Sequence, residues 1–395
     1  MFAGTKSAKP DTSGWTTSSL EDLSRSFQST DIADPDTSGW DTSKVRDMSY
    51  TFQDAHSARP STTAWDTSSV TTFAHTFDGA RYANPDTSNW DTGNVQTFES
   101  AFANAPNAQP DTSGWNTSNT TSMRLSFSNS RQANPDTGGW DTSQVTDFYG
   151  TFQNATRANP NTSAWQLQSA TTLEAMFQGA TQATPDTTNW DTSSVQTMTN
   201  IFDGATLANP NTSTWNTSRV NTMQGMFRNA PKVTPDTSGW DTRNVETMSS
   251  MFEGATLANP DVSGWDTGRV SSLSKIFKNA ITAAPNTSLW NVSSTTDLES
   301  AFEGATSANP DVTNWNVASV TNMSAVFKDA VNANPNVINW VTSNATTFEE
   351  LFSGASVAAP NVSTWDTRNV ENMTGVFRLA PNAVPDLSQW DFSKV

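Results

Sequence analysis

The stretch Leu257–Asn279 reads L-A-N-P-D-V-S-G-W-D-T-G-R-V-S-S-L-S-K-I-F-K-N, and its outline returns along the whole chain. Its Trp265 is one of sixteen tryptophans, which stand at 15, 40, 65 and onward to 390 at a constant interval of 25 residues. A proline precedes each by five residues, from Pro10 to Pro385, and a phenylalanine recurs from Phe2 through Phe27 to Phe377. No insertion or deletion disturbs the register. Residues 1–395 therefore make fifteen complete 25-residue units and 20 residues of a sixteenth. A period of this length marks a repeat array, in which one unit cannot bury its apolar face alone and stacked copies share a continuous core. Length alone would suggest two or three globular domains. The period replaces that with one continuous solenoid of sixteen repeats over 1–395, the last incomplete.

Positions within the unit are called columns 1 to 25, counted from Met1. Columns 8, 10 and 12 hold Ala (Val233 once), Pro, and Thr, Val or Leu. Spacing by two places them on one side of an extended segment. The column 10 proline lacks a backbone donor and is expected to start this strand instead of sitting inside it. Column 14 is Gly or Asn in ten of sixteen units, which marks a turn before the tryptophan. Column 20 is mostly Val, as in Val45 and Val70.

Column 22 is Thr, Ser, Asp or Asn in every unit that reaches it, and column 23 is Leu, Met or Phe. Met198 and Phe202 then have the i, i+4 spacing of a helical face, with Thr197 placed as N-cap. Column 4 is Gly, Asn or Asp in fourteen of sixteen units, residues that tolerate the left-handed conformation ending a helix. Each unit predicts a short strand, a turn, a second extended piece and about one and a half helical turns. Columns 8, 12, 15, 17, 20, 23, 2 and 5 are expected to point inward. Coils ~4.7–4.9 Å apart along a parallel sheet would make sixteen of them span roughly 75 Å.

Composition narrows the function. With 21 basic and 39 acidic residues the net charge is −18, a poor match for nucleic acid or anionic membrane surfaces. There is no cysteine, so no disulfide framework, cysteine zinc site or thiol nucleophile. No apolar run approaches the ~18 residues of a membrane span, and the first ten residues lack the apolar stretch of a secretory signal. Hydrophobic content is 34% while aromatics reach 10%, a pairing that disorder avoids.

The repeated columns carry the candidate chemistry. The Trp and Phe columns could stack sugars, yet exposing them would leave little to bury, so they are expected to be core. Thr at column 12 (eleven units) and column 17 (twelve units) could order ice, but Val, Leu or Phe replaces it elsewhere, which favours inward hydroxyls bonded to backbone. The outward Ser/Thr of column 13 is the weaker ice candidate. Asp fills column 11 in ten units and column 16 in nine, and stacked carboxylates could hold calcium. Exchange with Asn, as at Asn161, Asn211 and Asn286, instead fits turn capping. His56 and His75 fall in different columns and form no triad or ligand pair, so both are expected at the surface. Asn-x-Ser/Thr sequons such as Asn116, Asn154, Asn344 and Asn361 are expected by chance here. No catalytic, cofactor or metal residue is assigned, and no cofactor is expected.

The segments Asp261–Thr267 with Val270, and Val195–Thr206, resemble the BspA-like branch of leucine-rich repeats found in bacterial, mycoplasma and protist surface proteins. The resemblance covers all sixteen units. It implies a right-handed leucine-rich-repeat-like coil, an extracellular or cell-surface setting and a role in adhesion or display, with cell-surface or matrix partners. It offers no catalytic residues. Ala at column 8, Pro at column 10 and Thr at column 12 in the first ten units depart from it, so the tryptophan is expected to carry more of the burial. The function expected is a non-enzymatic structural or adhesive rod, the alternative a module binding glycan, calcium or ice on its Asp/Ser-Thr strand face. Because Met1–Gly4 and Trp390–Val395 already fit the repeat, self-association through the solenoid ends into a filament is a further expectation, helped by salt.

Overall fold

A computed structural model describes residues 2–395. The repeats form a solenoid of stacked coils, grouped into two compact units: Met1–Ser194 with Gly204–Ala208, and Val195–Asp203 with Asn209–Val395. Within each unit the coils are built alike. The aromatic columns form the bulkiest part of the core, packed beside buried Met, Leu and Val such as Met198, Leu273 and Val270. In the first unit Trp90 and Trp115 lie 6.3 Å apart and within 3° of parallel, and Phe102 and Phe127 lie 5.7 Å apart at 2°. In the second, Trp240 and Trp265 lie 6.3 Å apart at 1°, and Phe252 and Phe277 5.5 Å apart at 2°. Centroid separations of this size are those of offset stacks, which favour aromatic pairs beyond area burial.

Every column expected inside is buried in the inner coils of both units. Two others join them. Column 10 proline is buried, as at Pro85 and Pro260. So is column 1, which is hydroxylic in much of the first unit (Thr51, Thr76, Thr151) and apolar in the second (Met251, Ile276, Leu351). The buried hydroxyls are satisfied by backbone: Thr76 Oγ1 donates to Phe73 O at 2.7 Å. Column 12 and 17 threonines do likewise across coils, Thr87 to Asp111 O at 2.6 Å and Thr242 to Asp266 O at 2.9 Å. Their inward placement is as expected.

The expected helical turn is absent among the described residues, and the bonding explains why. A helix spends its N–H groups inside itself and would leave nothing to join one coil to the next. Here alternate N–H groups from column 23 to column 4 donate to the following coil: Phe73 to Thr97 O, His75 to Glu99 O, Phe77 to Ala101 O and Gly79 to Ala103 O, at 2.8–3.2 Å. Thr76 N–H, between them, closes a tight turn on Phe73 O, and Ala80 N–H, just after them, closes the next on Phe77 O, both at 3.0 Å. Met198 and Phe202, read as one helical face, both donate onward instead, to Thr222 O and Met226 O. Their four-residue spacing comes from consecutive turns.

Positive φ reveals the same design. All sixteen column 4 residues and all fifteen column 25 residues have φ above zero, and no other described residue does. Most are the third residue of a turn whose bond closes on the fourth, the place where a type II turn requires φ above zero. Column 4 thus has the left-handed conformation expected of it, serving a turn and not a helix end. Column 25 had no such expectation.

The strands expected at columns 8–12 are also absent among the described residues. The pairing that occurs is a parallel bridge between successive column 22 residues, such as Thr72↔Thr97 and Asp297↔Asn322. Proline removes a donor from the middle of the 8–12 segment, and the column 9 N–H is taken by a side chain of the preceding coil. Thr234 N–H on Asn209 Oδ1, at 2.8 Å, is one case. Column 22 does cap, as predicted, but caps a turn: Asp47 Oδ1 accepts Ser49 N–H at 2.7 Å.

Candidate functional site

With the aromatics inside, the chemistry offered to a partner lies in the outward columns. The acidic columns 11 and 16 are capped turns. Asp11 Oδ1 accepts the Ser13 N–H at 3.1 Å and hydroxyl at 2.7 Å, and Asp41 Oδ1 accepts the same pair from Ser43. Asn161 does this with Ser163, at 3.2 and 2.7 Å. One oxygen suffices, which is why amide and carboxylate exchange freely. The serine hydroxyl and then its N–H, both donating to the charged form, hold the Asp11 and Asp41 carboxyls below the usual aspartate value. Where arginine stands two residues on, the fork closes on both oxygens: Arg368 Nη2 lies 2.6 Å from Asp366 Oδ2, and these bonds lower Asp366 to about 2. The column 13 serine hydroxyl, the weaker ice candidate, is thereby turned onto its own cap in these coils. No group of three or more His, Cys, Asp or Glu able to hold a metal occurs among the described residues.

The two histidines are partly covered and each faces a carboxylate. His56 Nδ1 lies 3.2 Å from Asp31 Oδ1, and His75 Nδ1 lies 3.0 Å from Asp78 Oδ2 with its ring stacked on Tyr50 at 4.7 Å. Among the described residues neither imidazole is bonded to a serine or threonine hydroxyl. They tie one coil to another or one turn to itself.

Column 3 of the second unit alternates in sign through Asp203, Arg228, Glu253, Lys278, Glu303 and Lys328. Arg228 grips Asp203 through Nε at 3.0 Å and Nη2 at 2.6 Å, and Lys278 Nζ lies 2.8 Å from Glu303. The corresponding column of the first unit includes amide pairs, with Gln153 Nε2 donating to Gln178 Oε1 at 2.6 Å. Such ladders favour in-register stacking of like coils.

Sequence reasoning missed two outward features. In the coil containing Trp340, columns 13 and 16 carry Ile338 and Val341 where other coils have Ser or Thr (Gly138 once) and mostly Asp or Asn, and Val341 is 53% exposed. The second is an open polar groove in the first unit, lined by residues from Gln109 to Gln182. Its walls come from three and more coils, so no single unit displays it.

Stacked coils, tight turns and outward ladders define a repeat-solenoid protein. The chain belongs to the family described as "Mycoplasma protein of unknown function, DUF285", whose model matches residues 1–114, 76–189, 173–290 and 271–390. A search of curated proteins finds no significant match. Among solved structures, "Crystal structure of TLR13-ssRNA13 complex" aligns with 87% of this chain and 51% of that one, at 10% identity and a TM-score of 0.25. This chain therefore spans about half the length of that structure, a likeness too slight to bear on function. No helix of the described residues is long and apolar enough to cross a membrane.

Proposed function

We propose that the protein is a non-enzymatic scaffold of the cell surface or extracellular space, acting by contact through its repeated outer faces in adhesion or structural display. The observation that carries this reading is the repetition of the outward chemistry. The Asp/Asn caps and the ion-pair and amide ladders recur coil after coil and are largely spent on neighbouring turns, giving an extended surface instead of one convergent cleft. The BspA-like signature supports it from the family side, along with the finer reading of the coil as right-handed and leucine-rich-repeat-like. The cation and ice alternatives draw less support, since the capping oxygens of columns 11 and 16 are engaged by the N–H and hydroxyl two residues on and the column 12 and 17 hydroxyls face inward.

The test is location in the source cell. Intact cells are treated with protease and labelled with antibody raised against the full chain. The proposal expects the protein to be cleaved and labelled from outside. A protein protected in intact cells and recovered only with the cytosol would refute it.

A further inference from the structure

We propose that the first unit carries a binding groove for neutral glycans along columns 7 and 9. The groove holds about 810 Å³, within the range of small-ligand sites. Gln132 and Arg157 of column 7 form one wall, and Asn134 and Asn159 of column 9 the other. Between them the column 8 residues Ala133 and Ala158 are fully buried, so the two polar rows flank a strip of backbone.

The walls mix donors and acceptors, and no carboxylate lines them. Backbone decides how the column 9 amides face. Asn134 Oδ1 accepts Asn159 N–H at 2.9 Å, and Asn159 Oδ1 accepts Thr184 N–H at 2.8 Å. A backbone N–H can only donate, so each amide oxygen is committed to the chain and each Nδ2 keeps its two hydrogens for a ligand. Along the column 7 wall, Arg157 Nη1 donates to Gln132 Oε1 of the preceding coil. That bond steadies the guanidinium and leaves further donors of its five. Sugar hydroxyls both donate and accept, which is what such a lining asks of a ligand.

The same column 7 row supplies an apolar end. Tyr82 is 53% exposed and stands two coils before Gln132, about 10 Å away by coil spacing. Arg59 of column 9 reaches over its ring at 5.1 Å, so side chains of the two columns do meet across the strip. The uncovered part of the ring offers the flat apolar surface that suits the C–H face of a pyranose. An anionic chain fits less well. Asp111, Asp136 and Asp186 of column 11 project beside column 9, and the whole chain carries −18.

This inference deepens the reading of the chain as a contact surface and rests on it. The experiment is calorimetric titration of the full chain with cellohexaose, chitohexaose and mannohexaose, with hexagalacturonate as the charged comparison. At least one neutral hexamer should bind, and affinity should fall about tenfold in Gln182→Ala and in Arg157→Ala, each of which deletes a hydrogen-bonding wall group. Asp261→Asn, in the second unit, should leave affinity unchanged. Melting curves accompany each variant, and Gln182→Ala decides alone if Arg157→Ala proves unstable. The proposal is overturned if no neutral hexamer binds, if both wall variants bind as the parent does, or if hexagalacturonate binds most tightly. Any of these leaves the surface-protein reading standing, because cell location and not groove occupancy tests that.

Discussion

Replacing Gly179 by alanine should destabilise the first unit by about 2–3 kcal/mol, a magnitude with two separable parts. Gly179 has φ +67°, where an L side chain costs ~1–2 kcal/mol. A Cβ there would stand 2.3 Å from Asn154 Oδ1, too close to tolerate. The asparagine can swing away only by giving up the bond from its Nδ2 to Asn129 Oδ1, now 2.9 Å, at a cost of about 1 kcal/mol. In an Asn154→Gly background the collision has no partner, and the cost of Gly179→Ala should shrink to the conformational ~1–2 kcal/mol. Hydrogen exchange of amides around residues 150–180 is the suitable assay, since repeat arrays open locally and a global midpoint blurs the effect. A cost under about 0.5 kcal/mol would refute the turn assignment, because left-handed backbone cannot accept alanine that cheaply. Equal costs in both backgrounds would refute the coil-to-coil packing.

Acid should weaken the fold in a defined window. The capped aspartates have folded pKa values below their unfolded ones, so their contribution is full above pH ~4 and is lost as pH falls toward about 2, the value reached by Asp366. Melting temperature followed over that range should drop, and Asp→Asn changes at columns 11 and 16 should flatten the drop; a flat parent profile contradicts the caps. Val341→Asp should add a cap to Ser343 and raise stability by roughly 0.5–1 kcal/mol, read by urea melts, whereas a loss would show that the exposed valine has packing of its own. Chelator should leave the melting temperature unchanged, given that cap oxygens are bonded to serine; a fall restored by calcium would make the Asp columns cation sites.

The interior was legible because the aromatic and threonine columns answer one question, which side chains are bulky or exchange with bulky ones. Capping was legible for a similar reason, since Asp and Asn share the one oxygen a turn needs. The helix was misread because Met198 and Phe202 have a spacing that two successive turns also produce. A corrective signal was present: column 25 contains no Val, Ile, Thr or Pro in a threonine-rich chain, as a position with positive φ demands. Column 1 hid its burial behind hydroxyls, Thr51 and Thr76 looking polar until their backbone partners are seen. The groove was illegible for a different reason. Gln132, Arg157 and Asn159 are unremarkable in their own units and acquire meaning only when stacking brings their coils together.

The claim on which fold and function both depend is that the tryptophan columns face inward, leaving the polar columns as the working surface. Steady-state tryptophan fluorescence with iodide quenching measures this directly. The inner tryptophans, 1–5% exposed from Trp40 to Trp365, should emit at blue-shifted wavelength and resist iodide until denaturant is added. Emission like that of free tryptophan, readily quenched in the native protein, would contradict the account.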